Sequence, residues 1–264
     1  IARAFDTVNH VRLLDNLQAK RVPLWVVQLV QSFLTDRNTT LIVDGVETAP
    51  RRLSAGVPQG SLLSLILFLF YNGPLLEALD RADLPITPVR FADDINILAY
   101  GPTTSYNCRN LQASHDICLE WARKHGMRFA LTKYTLTHFA KSCKFDMNAP
   151  VTLGETMVSP EPSVKVLGVI LDSKLKWKDY EQAVKQKLTT QMLALQRTTA
   201  STWGATMLKA RQVYQAVVRP AMAYGAPAWH QPTKAGRKLK GLAAKLQAEQ
   251  NKGLRAVLGA FKAT

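Results

Sequence analysis

The sequence predicts an α+β protein: a mixed body of helices and antiparallel hairpins over residues 1–172, followed by a basic helical region over 173–264. Three observations carry this prediction. "TTLIVDGVETAPRRLSAG" places Asp44-Gly45 between β-branched runs, a strong short-range hairpin signal. "VRFADDINILAY" (Val89–Tyr100) is dense in Val, Phe, Ile and Leu on both sides of Asp93-Asp94. After Asp172 the apolar residues recur at helical spacing almost to the end of the chain.

The elements follow in order. "IARAFDTVNH" reads as a strand end entering a turn, with Asp6 or Asn9 available to cap a helix over about Val11–Lys20. Pro23 is expected to start the next helix, "PLWVVQLVQSFL", with Pro in a favoured first-turn position. Then come the Asp-Gly hairpin, the loop "GVPQGS" and an apolar helix over Leu62–Leu79. The run Leu62–Tyr71 by itself is too short to span a bilayer and reads as a buried helix. After the aspartate hairpin, an amphipathic helix runs from about Thr104 to Lys124 and stops at Gly126. Short strands are expected at "TLTHFA", "VTLG" and "VKVLGVIL", and the helical stretch beyond is expected to break at Gly204, at Pro220 and around "YGAPAWHQPT".

The formal charge is +15, and it is lopsided. Residues 1–100 hold 9 Lys and Arg against 10 Asp and Glu, whereas residues 101–264 hold 25 against 9. From Gln182 onward there are 14 basic residues and one acidic one, Glu249. Solvated helix faces account for individual lysines, but a one-sided excess of this length implies a polyanionic partner, most simply nucleic acid. Cys108, Cys118 and Cys143 show no metal-binding spacing, which suggests a reducing compartment and no structural zinc. The five histidines share no ligand spacing. No signal peptide is visible, so the expected location is intracellular, nuclear or cytoplasmic, and not secreted.

Asp93-Asp94 is the anomaly that points to chemistry. Aspartate is depleted in strands, and neighbouring carboxylates repel. A tight turn breaks the strict alternation of faces and can bring both carboxylates near one point. That arrangement suits a hard cation such as Mg²⁺, the ion that phosphoryl transfer uses in pairs. A plain turn with Asp at its tip is the competing reading, and a lone Asp-Asp would favour it.

The order of motifs decides between them. "AFDTVNH", "GVPQGSLLSLILFLFYN", "FADD", "HGMRFALTKYTLTHF" and "VKVLGVILDSKLKW", in that succession, resemble the reverse-transcriptase domain of non-LTR (LINE-like) retrotransposons. The tail "LQAEQNKGLRAVLGAFKAT" resembles fungal members. The resemblance covers essentially the whole chain. It implies a right-hand polymerase palm, an antiparallel sheet packed on helices, with partial fingers and a C-terminal helical thumb-like region. The implied activity is RNA-directed DNA polymerisation onto a primer 3′-hydroxyl, with two Mg²⁺ ions (Mn²⁺ as the alternative).

Motif by motif, the resemblance makes Asp93 the main metal ligand and Asp94 its neighbour in the catalytic hairpin. Gln59 matches the loop residue that contacts the incoming deoxynucleoside triphosphate, and Gly60 allows close backbone approach. Phe5 matches the aromatic gate that excludes a 2′-hydroxyl, with a plain core Phe as the other reading. Arg3 lies where residues reach the triphosphate, or is a surface charge. Lys133 matches a motif lysine that protonates or neutralises leaving pyrophosphate, or is a solvated strand lysine. "VKVLGVILD" resembles the primer grip, and the basic helices after it would hold an RNA/DNA duplex through its phosphates. Trp177, Trp203 and Trp229 could stack on bases, but burial between helices is the preferred reading. A flanking endonuclease is implied by the family alone, and nothing suggests a membrane partner.

Two departures matter. In the family, an aspartate precedes A-F-D by three residues and is the first metal ligand. Here Ala4-Phe5-Asp6 is that A-F-D, so this ligand is expected just before Ile1, and the chain is expected to be a largely inactive fragment that also lacks its N-terminal fingers. Asp6 is assigned to capping. In addition, Leu62, Leu65 and Leu131 stand where members carry Pro, which suggests a decayed copy. The alternative function is a non-catalytic RNA- or duplex-binding remnant; a maturase- or telomerase-type polymerase fits the tail less well.

Overall fold

A computed structural model describes residues 4–140, 145–198, 204–230 and 241–258. It divides into two compact units. One takes the described residues of Ile1–Leu136 and Lys144–Pro160, and the other those of Thr137–Cys143 and Glu161–Thr264. Helices and antiparallel strand pairs are mixed in the first, and the second is mainly helical, in keeping with the α+β class. The hairpin over Ser163–Asp172, assigned from sequence to the first region, belongs to the second unit.

In the first unit, α1 (His10–Ala19) is capped by Asn9, whose side chain accepts from the Arg12 backbone N–H. Asp6 is not the cap. Helix α2 (Leu24–Leu34) forms as expected but starts one residue later, with Pro23 as its N-cap at ψ 138° and not in its first turn. Two short ladders are nested between α2 and the next helix. Strand β1 (Asn38–Thr39) pairs with β4 (Arg51–Arg52), and β2 (Ile42–Val43) with β3 (Val46–Glu47). The inner turn has φ of 51° at Asp44 and 79° at Gly45, the two left-handed residues that Asp-Gly supplies.

Helix α3 (Leu62–Arg81) is long and apolar enough to cross a membrane by length and composition, since it runs ten residues past Tyr71. It is not buried all round. Leu67, Phe68, Tyr71, Leu75 and Leu79 fill the main core with Leu13 and Leu17 of α1 and Val27 and Val30 of α2. Leu62, Leu65, Ile66 and Leu69 on the same helix are exposed. Strands β5 (Ile86–Phe91) and β6 (Asp94–Ala99) form the aspartate hairpin, in register from Ile86↔Ala99 to Phe91↔Asp94. Helix α4 (Thr104–His125) is capped by Thr103 and ends on Gly126 at φ 66°, the left-handed stop its sequence signals. Strands β7 (Val151–Leu153) and β8 (Thr156–Val158) form a small hairpin. "TLTHFA" forms no strand among the described residues; Leu136 makes a single bridge to Pro160.

In the second unit, β9 (Ser163–Val166) and β10 (Val169–Asp172) turn through Leu167 and Gly168, at φ 48° and 85°. The Asp172 carboxylate accepts backbone N–H bonds from Lys174, Lys176 and Trp177 and so fixes the passage into α5 (Lys178–Thr198). Burial alone would raise the Asp172 pKa, but those backbone donors outweigh it and hold the carboxyl below its usual range. Helix α6 (Met207–Val213) continues through a π-helical turn (Tyr214–Val218) into α7 (Arg219–Ala223). Pro220 therefore does not break the helix. The wider turn just before it accommodates a residue that lacks an N–H and crowds the preceding carbonyls. The chain does break at Tyr224-Gly225, before α8 (Ala226–Trp229); α9 (Gly241–Leu258) is the last described helix. Tyr180, Leu188, Tyr214, Val218 and Leu246 form this unit's core, with Trp177 and Trp229 packed against it as preferred from sequence. Trp203 lies outside the described residues.

Candidate active site

Ala92 and Asp93 make the two-residue turn of the β5–β6 hairpin, and Ala92 sits at φ 51°. Phe91 pairs with Asp94 at the first rung, so Asp93 is at the tip and Asp94 opens the return strand. Asp93 is half-buried and Asp94 exposed. The two carboxylates thus sit on consecutive residues where face alternation is interrupted, which is the local geometry the sequence implied.

Their donor chemistry, paired hard oxygens, fits a divalent cation that prefers carboxylate and phosphate ligands. Among the described residues no group of three or more His, Cys, Asp or Glu side chains comes together, so the pair offers part of a ligand shell.

A second constellation forms around the loop 56–61. Phe5, Gln59, Gly60, Ser61, Leu62, Ser64 and Leu65 line a cleft of about 210 Å³. Three of the residues assigned to the nucleotide therefore share one cavity. The Phe5 ring lies against Phe68 with centroids 5.0 Å apart and a 33° tilt, which gives it a rigid backing. Gly60 has φ 93° and open space where a side chain would be. Asp93, Asp94 and Lys133 are not among the residues lining that cleft. Lys133 ends a short 3₁₀ turn (Leu131–Lys133) and is exposed, not a strand lysine. Arg3 lies outside the described residues.

The start of the 56–61 loop is stitched to residues 5–8 by backbone. Gly56 N–H donates to Val8 O, and Val57 N–H donates to Phe5 O, each at 2.8 Å. Arg37 Nη1 donates to the Gly56 carbonyl at 2.8 Å, and His10 Nε2 lies 2.8 Å from the same oxygen. Gly56 sits at φ 86°, and a Cβ there would stand 2.8 Å from Asp6 O. Asp6 itself accepts from Gln59 Nε2 at 2.9 Å. Asp6 and Gly56 are thus the residues that sequence reasoning missed. A glycine just ahead of the P-Q-G turn was the available signal, because close backbone approach is one of the reasons a glycine is needed.

Residues 1–171 match the reverse transcriptase (RNA-dependent DNA polymerase) family. The chain belongs to that family. This reverse transcriptase chain is 28% identical over 241 residues to the RNA-directed DNA polymerase from mobile element jockey of Drosophila melanogaster, covering 85% of this chain and 25% of that protein. It is 26% identical over 272 residues to the probable RNA-directed DNA polymerase from transposon BS of the same species, covering 97% and 28%. A Nasonia vitripennis Pol polyprotein from type-1 retrotransposable element R1 2 is 26% identical over 185 residues, covering 68% and 44%. The chain spans only about a quarter of the length of the first two. These relatives support the expectation of a non-LTR-type reverse-transcriptase domain. The fungal source inferred from the tail finds no support, since the organisms are insects. Reverse transcriptases as a family use divalent metal ions. Leu62, Leu65 and Leu131, expected from the sequence to stand at proline positions, are all exposed.

Proposed function

We propose that this chain is the polymerising part of an RNA-directed DNA polymerase of a non-LTR retrotransposon, extending a DNA primer on an RNA template with deoxynucleoside triphosphates. The observation that carries it is the family match over residues 1–171 together with Asp93-Asp94 at a two-residue hairpin tip.

Asp93 and Asp94 would hold the divalent ions, with Mg²⁺ the ion their oxygen donors suit best and Mn²⁺ the alternative. When bound, such ions neutralise the charge that develops on the transferring phosphate and activate the attacking hydroxyl. The chain's other residues bind and orient. Gln59, steadied by Asp6, would contact the incoming nucleotide from the cleft lining, and Gly60 would keep the backbone open to the triphosphate. The Phe5 ring, backed by Phe68, stands under the sugar and leaves no room for a 2′-hydroxyl. Lys133 supplies positive charge or a proton to leaving pyrophosphate. The basic helices of residues 173–264 hold the duplex, and the work takes place inside the cell.

Primer extension on an RNA template with Mg²⁺ tests the reading. Extension by the chain, or by the longer protein containing it, that Asp93→Asn abolishes supports it, and extension that Asp93→Asn leaves intact overturns it. The charge of residues 101–264 favours a second reading, duplex binding without catalysis. Steep loss of duplex affinity with salt, in the absence of any extension, is its signature.

A further inference from the structure

The hairpin over Ser163–Asp172 is the segment that resembles a primer grip, and its tip is held by a residue that no motif assigned. Tyr224 Oη donates to the Leu167 carbonyl at 2.6 Å, within the turn itself. Its ring covers the next residue: a Cβ on Gly168 would stand 3.1 Å from Tyr224 Cε1 and 3.2 Å from its Oη.

Tyr224 is in turn anchored through its own backbone. Its carbonyl accepts from Tyr180 Oη at 2.6 Å and from Trp229 Nε1 at 3.1 Å. Tyr180 is buried in the helical core, so that tie is to the rigid part of the unit. Gly225 follows at φ 64°, and a Cβ there would stand 2.6 Å from Val169 Cγ2, so the chain after Tyr224 presses on the start of the return strand as well. A two-stranded hairpin is marginal alone. This one is fixed at its base by Asp172 and at its tip by Tyr224. Tyr224 does this from an exposed position, 52% accessible, where burial of the ring cannot explain its placement.

We propose that Tyr224 is a positioning residue for the primer 3′ end: it sets the Leu167–Gly168 turn against the helices, and the turn sets the terminus. The proposal rests on the reverse-transcriptase reading given above.

The test is fluorescence anisotropy with two RNA/DNA duplexes of equal length, one with a recessed primer 3′ end and one blunt. The wild-type chain prefers the recessed end. Tyr224→Phe removes only the hydroxyl and narrows that preference roughly fivefold, the scale of one hydrogen bond, with blunt-duplex affinity unchanged. Gly168→Asn keeps a residue tolerant of positive φ but fills the space beneath the ring, and it gives the same loss. A preference that survives Tyr224→Phe, or a uniform loss for both duplexes, overturns the role of Tyr224 and leaves the polymerase reading standing. A wild-type chain with no preference for the recessed end defeats the primer-grip reading, and the proposal with it.

Discussion

Gln59 donates its side-chain N–H to the Asp6 carboxylate at 2.9 Å. This bond joins two motifs 53 positions apart, the A-F-D turn and the P-Q-G loop, and Gln59 lines the same cleft as Phe5 and Gly60. The partner is a carboxylate, so the bond is of the stronger, charge-assisted kind, and it uses the amide N–H₂ and not the amide oxygen. Asp6→Ala is expected to raise the KM for deoxynucleotides about fivefold in primer extension, with kcat little changed, because a freed Gln59 must be ordered on binding. Gln59→Ala should give at least the same increase. A change confined to kcat in either variant would count against this arrangement.

Gly56 and Gly60 both have positive φ, yet they should respond differently to substitution. Gly60→Ala meets no atom within 4 Å and carries only the left-handed penalty, about 1–2 kcal/mol. Gly56→Ala carries the same penalty and also drives a Cβ to 2.8 Å from the Asp6 carbonyl, where the backbone cannot step aside. Urea unfolding should therefore show Gly56→Ala as clearly the more destabilised of the two. Equal losses would mean that the loop and the turn are not in close contact.

Two leucines of the first turns of α3 also separate when each is replaced by proline. Leu62 is the first residue of α3, where a missing N–H costs nothing and the fixed φ of proline suits the helix. It is 82% exposed, so Leu62→Pro sacrifices no packing and should stabilise the protein by about 0.5 kcal/mol. Leu65 lies in the next turn, where its N–H enters the helical ladder, and Leu65→Pro should cost stability. Thermal melts of the two variants moving in opposite directions would confirm the difference.

Acid should weaken the first unit through α4. Burial lowers the pKa of His115, against a smaller opposing pull from Asp116. Burial also lowers that of His125, with Arg12 and Lys124 adding to it and a bond to the Trp121 carbonyl opposing it. Both folded values lie below the unfolded value of about 6.5. The unfolded chain then binds more protons, and stability rises with pH across that interval. The contribution is complete above the unfolded value and is lost as pH falls through the folded ones. Denaturant midpoints should drop from pH 7 to pH 5, and less so in His125→Asn, whose amide N–H can replace the donor to Trp121 O. A flat profile in the wild type would refute this.

Much of this was legible in the chain, and the parts that were not share a physical cause. Turns announced themselves because Asp44-Gly45 and Gly126 use residues that tolerate positive φ, and because Asp93-Asp94 interrupts an apolar strand pattern. Phe5, Gln59 and Gly60 could be grouped by motif order, and they do share a cleft. What failed depended on partners distant in sequence. Asp6 looked like a cap because it precedes a helix, and only the fold brings Gln59 to it. Pro220 looked like a break because a π-helical turn is not written in local propensity. "TLTHFA" has strand composition, but the described part of it gains only one bridge, and a strand needs a ladder to exist.

The hairpin that carries Asp93 and Asp94 has a consequence for handling the protein. Among the described residues β5 and β6 pair only with each other, so each leaves one edge of N–H and C=O groups without a ladder. Val89, Phe91 and Leu98 stand exposed beside those edges. Open edges flanked by apolar side chains template pairing with further copies. In light scattering, the purified chain should self-associate as its concentration rises, and Val89→Lys, which puts a charge on that face, should keep it monomeric.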